Sequence, residues 1–310
     1  MKIMEKKPGQ VGDGFGRRNF LQRAGLATAG FTGLGLLAGM EATTGSLLAH
    51  ARPGWDQDDK NTDTAQQIFT AALIAEDLAT TMYYNSLVGE VIDDPNLAGT
   101  TGSLTDPANL ANVGYLQGAL SAEITHGNLL RELTGGTTAA KDPVQTFYFP
   151  NDTFKTLTNF LPVLVALEDA FVGAYLVAVH EFSLMAARIE PYEREQKDPT
   201  GKPYKRSDLA YYAQVASAIQ GVESEHRTLA RAIPSISPGN TVFAGINLFP
   251  ADNLNYEQTD GLTAVYNGTT SAVAALTPFI TPGAGKMAFS FSTALAGAPE
   301  VSVPTTGGLP

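Results

Sequence analysis

Two glutamates, each set in an apolar run, constrain the fold more than any other feature of the chain. Glu76 follows Ala71-Ala72-Leu73-Ile74-Ala75, and Glu168 follows Leu164-Val165-Ala166-Leu167. A carboxylate on a buried stripe is costly unless it is paired or bound to a cation. Each is followed by an aspartate (Asp77, Asp169) and, seven residues later, by a tyrosine (Tyr83, Tyr175). Seven residues is close to two helical turns, so each tyrosine shares its glutamate's inward face. There it can donate a hydrogen bond to a carboxylate and fix its orientation. A chain of this kind needs partner segments that bring cationic or metal-ligating groups inward.

Those partners are present. Beyond the first 51 residues the histidines are His126, His180 and His226, and two of them close an E-x-x-H pattern: Glu123-Ile-Thr-His126 and Glu223-Ser-Glu-His226. On a helix an i, i+3 pair lies on one face, so carboxylate and imidazole can reach the same ion. His180 lies twelve residues past Glu168, rotated about 120° off that face, and reads as a surface or satisfied core histidine. Tyr211 and Tyr212 read as packing residues only.

The four motifs fall on four segments of helical periodicity. The first spans about 64–88, with Phe69, Leu73, Glu76, Thr80, Tyr83 and Leu87 on one face. The second spans about 106–133, opening with Asp106-Pro107 and closing at Thr134-Gly135-Gly136. The third spans about 151–189, with a kink or a short leading helix expected at Pro162. The fourth opens at Ser207-Asp208 and stops before Pro234. The fold class that follows is an all-α four-helix bundle over 64–233, built as a repeated helix hairpin. The connection 135–150 is long enough to cross the bundle and make the second and third helices parallel. Residues 52–63 form a polar arm. From 234 to 310 the only charged residues are Asp252, Glu257, Asp260, Lys286 and Glu300. That stretch reads as an irregular Gly/Pro/Thr-rich extension, with short helical turns near Leu262–Tyr266 and Ser271–Leu276, docked on the bundle or on a neighbouring subunit.

The N-terminus reads as a targeting segment. Gly16-Arg17-Arg18-Asn19-Phe20-Leu21-Gln22 precedes a weakly apolar run, and Ala49-His50-Ala51 offers an A-x-A cleavage site. The paired arginines followed by Phe-Leu resemble the bacterial twin-arginine signal, which implies export to the periplasm or beyond after folding. Residues 24–40 are too short and too rich in glycine for a good spanning helix, so no transmembrane segment is expected in the mature chain. The chain has no cysteine, which removes disulfides and thiolate metal sites. The formal net charge is −11 although the leader is basic. So acidic a body repels phosphate backbones, and nucleic acid is excluded as an expected partner.

The order E, E-x-x-H, E, E-x-x-H over four helices resembles the ferritin-like di-iron and di-manganese carboxylate proteins. With the leader, it is most similar to the exported ferritin-like proteins associated with desiccation and stress. The resemblance covers roughly 64–233. It implies two Fe or two Mn ions held by Glu76, Glu123, His126, Glu168, Glu223 and His226. Glu76 and Glu168 would be terminal or bridging carboxylates, Glu123 and Glu223 the remaining bridges, and each histidine would cap one metal. Tyr83 and Tyr175 stand where the family often has tyrosines bonded to the ligands. Where many relatives place an aspartate just before the E-x-x-H glutamate, this chain has Ala122 and Val222. Asp77 and Asp169 are the candidate substitutes, although their backbone direction puts them off the inward stripe. The implied activity is redox stress protection, by oxidation of ferrous iron with dioxygen or by removal of peroxide. The alternative is a non-catalytic stress or metal-binding protein acting through its loops and tail. The long loops and tail disfavour a storage cage and favour a homodimer or small homo-oligomer.

Overall fold

The structure, a computed structural model, describes residues 63–94, 97, 110–136, 138–187, 197–233, 262 and 264–302. The leader 1–51, all of the arm but Asp63, and the Asp106-Pro107 helix start lie outside the described residues. The protein is mostly helical, with several packed helices. Four long helices carry the motifs: α1 (Ala65–Val88), α2 (Leu110–Leu133), α3 (Leu157–Ala187) and α4 (Arg206–Ala232). α1 packs most extensively on α2, and α3 on α4; α1 also packs on α3, and α2 on α4.

Local chemistry sets the helix ends. Thr64 caps α1 through its side chain, which accepts from the Gln67 amide at 3.2 Å, while Gln67 Oε1 accepts from the Thr64 amide at 2.8 Å. α2 ends as its sequence predicts: Gly135 and Gly136 take positive φ of 99° and 73°, and the Gly136 amide donates back to Arg131 O at 2.9 Å. α3 departs from expectation. It starts at Leu157, after a turn at Asn151–Lys155, and runs through Pro162 as one helix. Pro162 sits in the second turn, so only one early intrahelical donor is lost. α3 is also long and apolar enough to cross a membrane, but 67% of its most apolar window is buried inside the protein. Packing against its neighbours accounts for that apolarity.

Two expectations are corrected. The C-terminal extension, expected to be irregular with short helical turns, holds two helices and a strand, and the fold is not purely α. Strand β1 (Thr146–Pro150) pairs antiparallel with β2 (Lys286–Ser290), Thr146 opposite Ser290 and Pro150 opposite Lys286. Flanking β2 are helices α5 (Ala272–Ile280) and α6 (Phe291–Val301). Of the turn expected at 262–266, residues 262 and 264–266 are not helical, and the one expected from Ser271 is a helix that runs to Ile280. α6 packs on α1 and α2, and α5 on α1, α3 and β1, so the described part of the extension lies on the bundle of its own chain. The contact depends on Gly297, because a Cβ there would meet the Tyr84 ring at 2.6 Å. Asp63, just ahead of α1, is fully buried and accepts from the amides of Tyr266 (2.5 Å) and Asn267 (3.0 Å) and from Asn267 Nδ2 (2.6 Å). These bonds tie the extension to the start of the bundle.

Candidate metal centre

Each long helix delivers its motif to one place in the interior. Glu76, Glu123, Glu168 and Glu223 are all at most 2% exposed, and His226 is 5% exposed. The i, i+3 spacing turns Glu123 with His126, and Glu223 with His226, onto common faces of α2 and α4. The side chains form two overlapping sets. One holds Glu76, Glu123, His126 and Glu223; the other holds Glu123, Glu168, Glu223 and His226. Within each set the potential ligand atoms all lie within 4.8 Å of one another. Glu123 and Glu223 belong to both.

The contacts inside the sets follow the same division. His126 Nδ1 is 3.2 Å from Glu76 Oε2, 3.6 Å from Glu123 Oε2 and 3.5 Å from Glu223 Oε1. His226 Nδ1 is 2.9 Å from Glu123 Oε1 and 3.5 Å from Glu223 Oε2. These are ion-pair distances, yet most of the atoms are not in hydrogen-bond geometry. Both oxygens of Glu123 and of Glu223, Glu168 Oε2 and His226 Nδ1 are buried without a hydrogen-bond partner. A buried polar atom left so costs about 1–3 kcal/mol, and more when charged. Orphaned acceptors converging on shared points fit cations, and carboxylate oxygen with imidazole nitrogen is a donor set that could hold metal ions.

The two tyrosines cross over between the halves. Tyr83 of α1 donates to Glu168 Oε1 of α3 at 2.6 Å, and Tyr175 of α3 donates to Glu76 Oε1 of α1. Each therefore steadies the glutamate of the other hairpin, not that of its own helix. Tyr115 of α2 completes the network on one side. Its hydroxyl lies 3.0 Å from that of Tyr83 and donates to the His226 carbonyl at 2.9 Å. The Tyr83 ring also meets the His226 ring edge-on, 5.8 Å between centroids.

Burial and mutual repulsion set the charges. Burial, and then Glu123, push the Glu76 carboxyl well above the usual carboxylate range. Burial, and then Glu223, do the same to Glu168. Burial opposes a charge on Glu123, but the two imidazoles outweigh it and hold that carboxyl below its usual range. Burial likewise opposes protonation of His126 and His226. The surrounding carboxylates, Glu76 foremost for His126 and Glu123 for His226, hold both imidazoles protonated well above the ordinary histidine range. Burial first, and then the nearby glutamates, raise Tyr83, Tyr115 and Tyr175, which remain neutral donors.

The structure brings together all six residues singled out as ligands, and both tyrosines. Asp77 and Asp169 do not replace the missing aspartates. Asp77 pairs with Arg131 at 2.6 Å, and Arg131 also holds Asp142 of the connection at 2.7 Å. Asp169 lies 3.4 Å from Arg227. Both aspartates therefore brace neighbouring helices beside the centre. His180 is in neither ligand set. Tyr212 packs against Phe69 at 4.9 Å and Phe182 at 5.6 Å, and Tyr211 is half exposed. Sequence reasoning missed Tyr115, whose signal was its place on α2 eight residues before Glu123, roughly two turns away. It also missed Arg131, Arg227 and Asp142. Compared with known proteins, the chain matches no family model, no curated protein and no solved structure.

Proposed function

We propose that the cluster holds two divalent iron or manganese ions, as in ferritin-like dinuclear carboxylate proteins, and carries out redox stress protection on dioxygen, peroxide or ferrous iron. The observation that carries this reading is the sharing of Glu123 and Glu223 between two four-residue sets. Four carboxylates and two neutral imidazoles carry four negative charges, which two divalent ions balance. One such pair, when bound, supplies the two electrons that reduce dioxygen or peroxide. Glu76 with His126 would hold one ion and Glu168 with His226 the other, with Glu123 and Glu223 bridging. Tyr83 and Tyr175 fix the outer glutamates, and the burial of all four glutamates keeps bulk water away. Four protein residues per ion leave free positions on a metal that takes about six ligands, so a small oxidant can bind.

The helix pairing supports a ferritin-like topology, in which two hairpins pack on one another with the ligands inside every long helix. The leader supports export of the folded protein by the twin-arginine route, with its metal chosen in the cytoplasm before competition from copper or zinc. Assays of metal-loaded protein test the activity. The expected result is turnover of ferrous iron with dioxygen, or of hydrogen peroxide, that is lost in Glu123→Ala with the helical spectrum intact. A loaded protein inert towards both oxidants would refute the redox reading. Apo-protein in the exported fraction, loaded only afterwards, would refute cytoplasmic metal choice.

A further inference from the structure

A cleft with a cavity volume of about 20 Å³ opens between α1 and α3. Its walls are apolar and mostly alanine, among them Ala71 and Ala75 of α1 and Ala174 and Ala178 of α3, and α5 contributes Ala272 and Leu276. Ala174 is half-buried, whereas Ala75 and Ala178 are at most 5% exposed. Tyr175 is the one lining residue with a polar side-chain atom, and its hydroxyl is committed to Glu76. Through Tyr175 the cleft adjoins Glu76, a member of the ligand set that contains His126.

The space suits one small molecule, since about 10–15 Å³ already accommodates a water-sized sphere. Its walls do not suit water, because apolar cavities without hydrogen-bond partners stay dry and take up apolar guests such as xenon. Hydrogen peroxide would have to shed its hydrogen bonds to enter, at a cost of a few kcal/mol. Dioxygen has none to shed. We propose that this alanine-walled cleft is the port by which dioxygen, and not peroxide, reaches the metal centre. The proposal rests on the dinuclear reading above and gives it a substrate. It also assigns a task to the C-terminal extension, whose α5 contributes part of the cleft wall.

Xenon uptake by the metal-free full chain tests the cleft, and stopped-flow oxidation of the ferrous-loaded protein tests the port. In the assay two ferrous ions each lose one electron to dioxygen, which leaves with two protons as hydrogen peroxide. Ala174→Leu fills part of the cleft that Ala174 lines, and Ala174→Ser controls for the position while adding little bulk. The expected results are xenon in the cleft of the parent and not of the Leu variant, and dioxygen-driven oxidation slowed at least ~10-fold by Leu and little changed by Ser. Oxidation by added hydrogen peroxide should be the same in all three proteins. Absence of xenon from the parent cleft, or dioxygen-driven oxidation unaffected by a Leu variant that excludes xenon, would overturn the proposal. Metal content measured on the same samples separates the two failures. No bound iron removes the dinuclear reading and the port with it, whereas bound iron with an indifferent cleft removes the port alone.

Discussion

Glu181 lies on α3, is 4% exposed, and faces Asp63 under the segment that joins the extension to the bundle. Burial, and then the charge of Asp63, push its carboxyl from the ordinary 4.5 to about 9, against the pull of a hydrogen bond with the Val265 backbone. A raised carboxyl pKa means that the folded chain holds this proton more tightly than the unfolded chain. Stability from this group is therefore complete below pH 4.5, falls as pH rises, and levels off above about 9. The slope is about 1.4 kcal/mol per pH unit, so by pH 7 the carboxyl has cost about 3 kcal/mol relative to acid conditions. Glu181→Gln places a neutral group of the same shape, able to donate to Asp63 and accept from Val265. Urea unfolding of metal-free parent and variant at half-unit steps from pH 5 to 8.5 should give curves that diverge, the variant gaining about 1.4 kcal/mol per unit. Other titrating groups cancel in the difference. A constant difference between the two proteins, or a variant less stable at pH 8, would refute the reasoning.

Three further outcomes follow from the centre and its braces. Tyr83→Phe removes the donor from Glu168 and one partner of Tyr115, and should lower stability of the metal-free protein by about 1–3 kcal/mol, measured by urea unfolding. Arg131→Met leaves the buried Asp77 and Asp142 without their shared cation, and should cost about 3–5 kcal/mol in the same assay. The double change that also makes Asp77→Asn should recover part of that loss. Metal binding must displace the protons held by His126, His226, Glu76 and Glu168. Affinity should accordingly fall as pH falls, with at least about one proton released per ion, read by calorimetry in buffers of different ionisation enthalpy.

The legible part of this protein was the part governed by helical period. Six ligands and two tyrosines could be placed because 3.6 residues per turn put Glu76 with Tyr83, and Glu123 with His126, on single faces. The crossing of the tyrosines could not be read, since period fixes a face but not which neighbouring helix the side chain meets. Asp77 was visible as an oddity beside Glu76, yet its partner Arg131 lies 54 residues away on another helix. Asp63 and Glu181 carry no pattern in the sequence, because their environment is a backbone turn near Tyr266. The extension was the least legible. β2 exists through pairing with β1, about 140 residues earlier, and a run as short as Lys286–Ser290 signals no strand without that partner.

The most direct measurement of the central claim is metal content by mass spectrometry on the purified protein and on Glu123→Ala/Glu223→Ala, the pair common to both ligand sets. The account predicts about two iron or manganese ions per chain, both lost together in the double variant while the helices persist. Zinc alone, no metal, or a metal content indifferent to the two substitutions would contradict it.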